Sequence, residues 1–337
     1  MRIKRGTILR LIIGILLLAL IIYYSRPEEL LGVLSNAAWE WLLIAIGIHL
    51  VATGATALRI AYLLERLDIY WPIFKANLGG MILADTTPGR AGYFATPLIV
   101  GRECPDVRKG RVLNVMFFGQ IFDFLLRGVL LGLAILTVFY AIGATANLYL
   151  YGFLSLALVI ALTVGFAILA FNKIPKPLMK VVTRIRFIDR LYTQYSKYAE
   201  SAGYSPKKAG VAFFITIVGW LLTATRWMVV GHALGLMIPL EWYLFIFPAL
   251  TAVSFIPVSL AGLGIVEGGF ALVFFVLGRP TQNGVAFALV DRAVALTGDL
   301  FGLPYVSKVG EGLSDLSKIG EDEDSQSGQD SAETKDG

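Results

Sequence analysis

The chain has 337 residues, 57% of them hydrophobic and 16% charged, with a net charge of +5 and a mean hydropathy of +0.72. Soluble domains carry about 25% charged residues, so this composition excludes an ordinary soluble fold and marks a polytopic membrane protein. One cysteine, Cys104, and two histidines, His49 and His232, exclude an internal disulfide and a Cys-based metal cluster.

Apolar runs recur at 7–24, 38–64, 112–140, 148–171, 209–235 and 286–307. Each reaches or nearly reaches the roughly 20 residues that cross a bilayer core as a helix. A β-barrel would show short alternating segments instead. The first run is too long for a signal-peptide core and is followed by Tyr23-Tyr24-Ser25-Arg26-Pro27 rather than by a small-residue cleavage site, so it reads as a span.

Lys and Arg mark the cytoplasmic loops. They crowd the N-terminus, the segment 101–111, and 172–208, which holds nine. The loops 25–37, 141–147, 236–242 and 279–285 hold at most one each. This places the N- and C-termini inside, at the cell membrane. The same count forces two segments to enter and leave on one side. The stretch 76–100, which contains ADTTPGRAG, becomes a re-entrant hairpin from the cytoplasm with arms near ten residues. The stretch 243–278, broken at PVSLAGLG, becomes one from the outer face. Irregular backbone at membrane depth is tolerated only where protein buries it or water lines it, so an internal cavity is expected.

The hairpins sit in matching surroundings. Thr56-Ala57-Leu58-Arg59 recurs as Thr223-Ala224-Thr225-Arg226, and Trp71-Pro72 as Ile238-Pro239, both at an offset of 167 residues. Pro88 recurs as Pro257 at 169, and Asp123 as Asp291 at 168. The expected fold is therefore all-α and polytopic, with inverted-topology repeats and two re-entrant broken-helix hairpins. Its parts are an N-terminal helix and outer loop at 1–37, a first repeat at 38–140, a helix and linker at 141–208, a second repeat at 209–307, and an acidic tail at 308–337 expected to be disordered. Within the linker, 174–200 has apolar residues at helical spacing between Lys and Arg, which suits a helix lying on anionic inner-leaflet lipid or a plain connector.

A charge within a spanning helix costs roughly 2.5–3.5 kcal/mol on insertion scales and so needs a partner or a wet cavity. The repeat offers Arg59 with Asp123 and Arg226 with Asp291, as charge pairs or a proton relay. Arg90 and Glu267 lie at the hairpin tips, where helix ends expose N–H groups and an arginine completes a phosphate site. With Arg292 these residues form the candidate head-group site: Arg59, Arg90, Arg226, Glu267 and Arg292. Pro88, Gly89, Pro257, Gly262 and Gly264 are the candidate backbone turns. No metal or other cofactor is expected. No nucleic-acid partner is expected either, because the basic residues report topology.

TPGRAG at 87–92, the span bearing Asp123, IPVSLAGLGIVEGG at 256–269 and VDRAVALTGDLFG at 290–302 resemble the lysylphosphatidylglycerol synthase transmembrane family over about 38–307. That family often has Gly-Glu where Gly92-Tyr93 stand, and Glu-Arg where Gly119-Gln120 stand. The resemblance implies a lipid flippase-like fold without the soluble synthase domain. The expected function is movement of a phospholipid, anionic or aminoacylated, or of a polyprenyl-phosphate-linked sugar, between leaflets. Two other readings stay open: an intramembrane lipid-modifying transferase using Asp85 and Glu267 as paired carboxylates, and a non-transporting partner subunit of a lipid-synthesising enzyme that docks through 174–208. No G-x-x-x-x-G-K-[ST] loop is present, so ATP drive is not expected.

Overall fold

The computed structural model describes residues 15–16, 19–23, 27–87, 90–138, 140, 143, 146–171, 204–247, 250, 254, 259, 262–276 and 278–307. The amphipathic linker 174–200, the acidic tail, Pro88, Gly89 and Pro257 lie outside these residues. The described residues contain no strand.

The helices are α1 (Pro27–Ser35), α2 (Trp39–Leu64), α3 (Tyr70–Asp85), α4 (Thr96–Glu103), α5 (Lys109–Leu133), α6 (Ala146–Phe171), α7 (Pro206–Ala233), α8 (Ile265–Val276) and α9 (Thr281–Asp299). Among the described residues four segments are long and apolar enough to cross a membrane: Trp39–Leu64, Lys109–Leu136, Tyr149–Ile168 and Pro206–Ala233. The run expected at 286–307 is helical from 281, but Asp291, Arg292 and Asp299 fall within it and a 3-10 turn interrupts it at Leu300–Gly302.

The long helices turn large apolar side chains outward and bury small and apolar residues together with a few polar ones, among them His49, Arg59, Thr216 and Arg226. On α2, Ile44, Val51 and Leu58 face outward at seven-residue spacing, while Ala45, His49, Thr53 and Ala57 are buried at four-residue spacing. That inner stripe is mostly small, which lets another backbone approach closely, and the neighbour is α7. The two helices run antiparallel. At one end the Ala38 amide donates to the Ala233 carbonyl at 2.8 Å. At the other, Lys208 pairs with Glu65. The helices that open the two sequence repeats therefore point in opposite directions, as the loop charges require.

Residues flanking each broken segment lie close together. Ahead of α3, Arg66 holds Asp68 at 2.8 Å and, beyond α4, Asp106 at 2.6 Å, which ties the mouth of the first hairpin. These hydrogen bonds keep both carboxyls below their ordinary range. The first arm is longer than the sequence indicated, because helix starts at Tyr70 rather than near 76. Its 16 residues still span only about 24 Å, short of a bilayer core near 30 Å. At its tip, Thr87 Oγ1 accepts from the Gly92 amide at 2.6 Å, and a β-carbon on Gly92 would overlap the Leu83 carbonyl. In the second hairpin the Arg279 guanidinium lies 6.0 Å from the Trp242 ring, and Trp242 packs edge-on against Phe274 at 5.7 Å. Gly262 and Gly264 take left-handed backbone, φ +73° and +82°, which glycine alone adopts without strain.

Two apolar cores flank the centre. One gathers around Ile60, Ile73, Ile99, Met116 and Phe124. The other gathers around Trp227, Phe247, Phe270 and Phe287, with Phe247 and Phe270 at 4.7 Å, edge to face. The first hairpin also touches the turn after α9 backbone to backbone, since a β-carbon on Gly302 would overlap the Gly79 nitrogen. Gly302→Ala must push the two apart and is expected to lose about 1–3 kcal/mol. Gly132→Ala, where nothing lies within 4 Å, should be neutral or better. Thermal unfolding of the two variants in one detergent compares them.

Candidate functional site

Between α2 and α7, closed by α5 and the tip of the first hairpin, lies a cavity of about 240 Å³. Its described lining brings four arginines, Arg59, Arg90, Arg127 and Arg226, to face one aspartate, Asp123. Asn77, Tyr93 and Gln120 add to the polar wall, as do His49, Thr216 and Ser254.

The arginines are held by a construction that repeats. Arg59 on α2 donates through Nη2 to Asp123 of α5 at 2.8 Å and through Nη1 to Thr216 of α7 at 2.7 Å. Arg226 on α7 donates through Nη2 to Asp291 of α9 at 3.1 Å and through Nη1 to His49 of α2 at 2.9 Å. The partners match as the arginines do: Thr216 lies 167 residues after His49, as Arg226 does after Arg59. Each half thus keeps its own carboxylate and borrows its second acceptor from the other half. Gly119 leaves room for this, since a β-carbon there would press on the Arg59 guanidinium at 3.0 Å. In both arginines Nε is buried without a hydrogen-bond partner among the described residues. His49 and Arg59 are ten residues apart on one helix, so the two stations are offset by about 15 Å along α2.

The His49 tautomer follows from its partners. Arginine has donors only, so the Nδ1 that accepts from Arg226 carries no proton. Nε2 carries it instead and donates to Asp299 Oδ1 at 2.9 Å. Asp299 is fully buried, and its Oδ2 has no hydrogen-bond partner among the described residues. Arg90 sits on left-handed backbone, φ 55°, with Asp85 at 3.4 Å. The Arg127 guanidinium lies over the Phe124 ring at 4.6 Å and the Trp220 ring at 4.9 Å, contacts that offset burial of a cation.

Of the sequence-derived candidates, Arg59, Arg90, Arg226 and Asp123 come together here, with Asp291 directly behind Arg226. Glu267 and Arg292 do not line the cavity. Glu267 Oε2 accepts from the Gly264 amide at 2.7 Å and so caps α8, and Oε1 accepts from Arg292 Nε at 2.8 Å. A completely buried carboxylate with both oxygens bonded inside the fold joins α8 to α9. Asp85 and Glu267 likewise each answer to their own arginine. The sequence reading passed over His49, Thr216, Tyr93, Gln120 and Asn77 as site residues. The 167-residue offset links His49 with Thr216, but two different residue types conceal the match.

The model for the lysylphosphatidylglycerol synthase TM region matches residues 8–301. The chain belongs to that family. It is also similar to a UPF0104 membrane protein of Methanothermobacter thermautotrophicus, 21% identical over 319 residues, which cover 88% of this chain and 93% of the relative. No solved structure matches. Family membership and the four spanning helices make this an all-α, multi-pass membrane protein of a lipid-related family, and its cavity falls within the matched region.

Proposed function

We propose that the protein moves the polar head of a phosphate-bearing lipid between leaflets of the cell membrane, leaving the lipid chemically unchanged. The observation that carries this is the cavity lined by arginines from both antiparallel halves, with two stations offset along the bilayer normal. A guanidinium is suited to a phosphodiester, and four of them line this one cavity. The cavity accepts a head group but not two acyl chains, which fits a lipid whose tails stay in hydrocarbon outside the protein. Anionic or aminoacylated phospholipids and polyprenyl-phosphate-linked sugars all present that phosphate. In this reading both termini are cytoplasmic.

The test is reconstitution into liposomes with fluorescent phosphatidylglycerol or phosphatidylcholine and measurement of inner-to-outer exchange. The intact chain should accelerate exchange of the anionic lipid above protein-free liposomes. Arg90→Gln and Arg127→Gln should each slow it about 10- to 100-fold, the worth of one charge-assisted hydrogen bond of about 1.5–3 kcal/mol. Exchange no faster than in empty liposomes, or unchanged in both variants, overturns the reading. A lipid altered in mass would establish a transferase, and exchange only after a lipid-synthesising enzyme is added would establish a partner subunit.

A further inference from the structure

The two halves of the arginine construction differ in one chemical respect. Where Arg59 bonds the Thr216 hydroxyl, Arg226 bonds an imidazole. A hydroxyl does not titrate near neutral pH, and a histidine does. The second half also has an extra member, because His49 passes its Nε2 proton toward Asp299. The first chain, Thr216–Arg59–Asp123, holds one positive and one negative charge. The second, Asp299–His49–Arg226–Asp291, holds one positive and two negative charges when Asp299 is ionised. A net charge buried in a membrane protein is costly, and one proton removes it.

From this geometry we infer that His49, backed by Asp299, is a proton-binding site whose occupancy is coupled to anion binding in the cavity. His49 lines the cavity and Asp299 does not, so a proton from cavity water reaches the imidazole first. It forms a bond to Nδ1, the nitrogen that now accepts from Arg226 Nη1. An N–H cannot accept from an N–H, so this hydrogen bond breaks. The imidazolium keeps its Nε2–H contact with Asp299, which becomes a salt bridge. Arg226 keeps Asp291 and turns Nη1 into the cavity, adding a donor to the phosphate site.

The coupling is reciprocal: an anion that draws Arg226 Nη1 away leaves Nδ1 open and raises the proton affinity of His49. The charged groups around His49 allow the step. Arg226 from α7 opposes it. Asp299 from α9 favours it, as does Asp291 through Arg226. From the first hairpin, Asp85 and Arg90 are paired with each other, and from α5, Asp123 is committed to Arg59 while Arg127 adds a positive charge. Thr216 gives the first half no equivalent, so a proton acts on one station and not on the other.

The direct test is 15N NMR of histidine-labelled protein in nanodiscs, with His232→Gln to assign the two rings. His232 packs edge-on against Trp41 at 4.5 Å and serves as the reference. In phosphatidylcholine discs, Nδ1 of His49 should pass from the unprotonated to the protonated range between about pH 5 and 8. In phosphatidylglycerol discs the transition should lie at higher pH. Asp299→Asn should move it to lower pH, and Arg226→Gln to higher pH. A His49 that stays in one protonation state across that range overturns the site, and identical curves in the two lipids overturn the coupling.

A second arm rests on the transport reading above. Exchange of phosphatidylglycerol should vary with pH, by up to about tenfold per unit on the limb above the transition. His49→Gln should flatten that slope whatever its absolute rate. If His49 titrates with a lipid-dependent midpoint while no exchange occurs at any pH, the transport reading fails and the proton site stands.

Discussion

Arg59→Ala is expected to cost about 3–5 kcal/mol, the largest loss of any single change at the centre of the molecule. The Arg59 side chain is 4% exposed and its partner Asp123 18%. Truncation therefore strands a carboxylate inside the bilayer and removes the bond to Thr216. Arg59→Ala with Asp123→Ala should recover part of the loss, because neither charge then remains buried. Arg226→Ala should behave alike, but Asp291→Ala should rescue it less completely, since Asp291 also accepts from Trp227 Nε1 at 3.1 Å. Thermal unfolding followed by size-exclusion chromatography in detergent measures all four variants against the parent. A double variant no more stable than Arg59→Ala alone would show that the ion pair is not what holds this site.

Glu267→Ala is expected to be nearly as damaging, at about 3 kcal/mol. It removes the cap on α8 and the partner of Arg292 at once. Glu267→Gln keeps one acceptor oxygen and should fall between. The loss should be one of folding: the fraction that survives should retain the parent's preference between anionic and zwitterionic lipid. A Glu267→Ala protein with unchanged thermal stability and no lipid exchange would instead put Glu267 in the transport path.

These two residues also mark how far the sequence could be read. Arg59, Asp123, Arg226 and Asp291 were legible because a membrane charge needs a partner and the repeat supplied the same pair twice. Glu267 was legible as buried and consequential, but its bonds to the Gly264 amide and to Arg292 were not. A carboxylate at a glycine-rich tip looks equally like a ligand and like a cap, and only the direction of its side chain decides. The extent of the first hairpin was misread by about six residues, because Tyr70 to Lys75 is apolar enough for hairpin or loop and the helix start carries no side-chain cap. His49 was hidden for another reason. Symmetry in a sequence is found through identity, and the structure preserves the geometry of the contact while exchanging imidazole for hydroxyl.

The cross-linking of the two halves has a consequence for how the chain is made. Arg59 enters the bilayer with α2, yet Asp123 emerges 64 residues later and Thr216 157 residues later. At synthesis rates of about 5–20 residues per second, Arg59 waits roughly 3–13 s for its counter-charge. Throughout that interval the nascent helix has to stay beside the insertion machinery or in contact with water, and its release into lipid is timed by the arrival of α5.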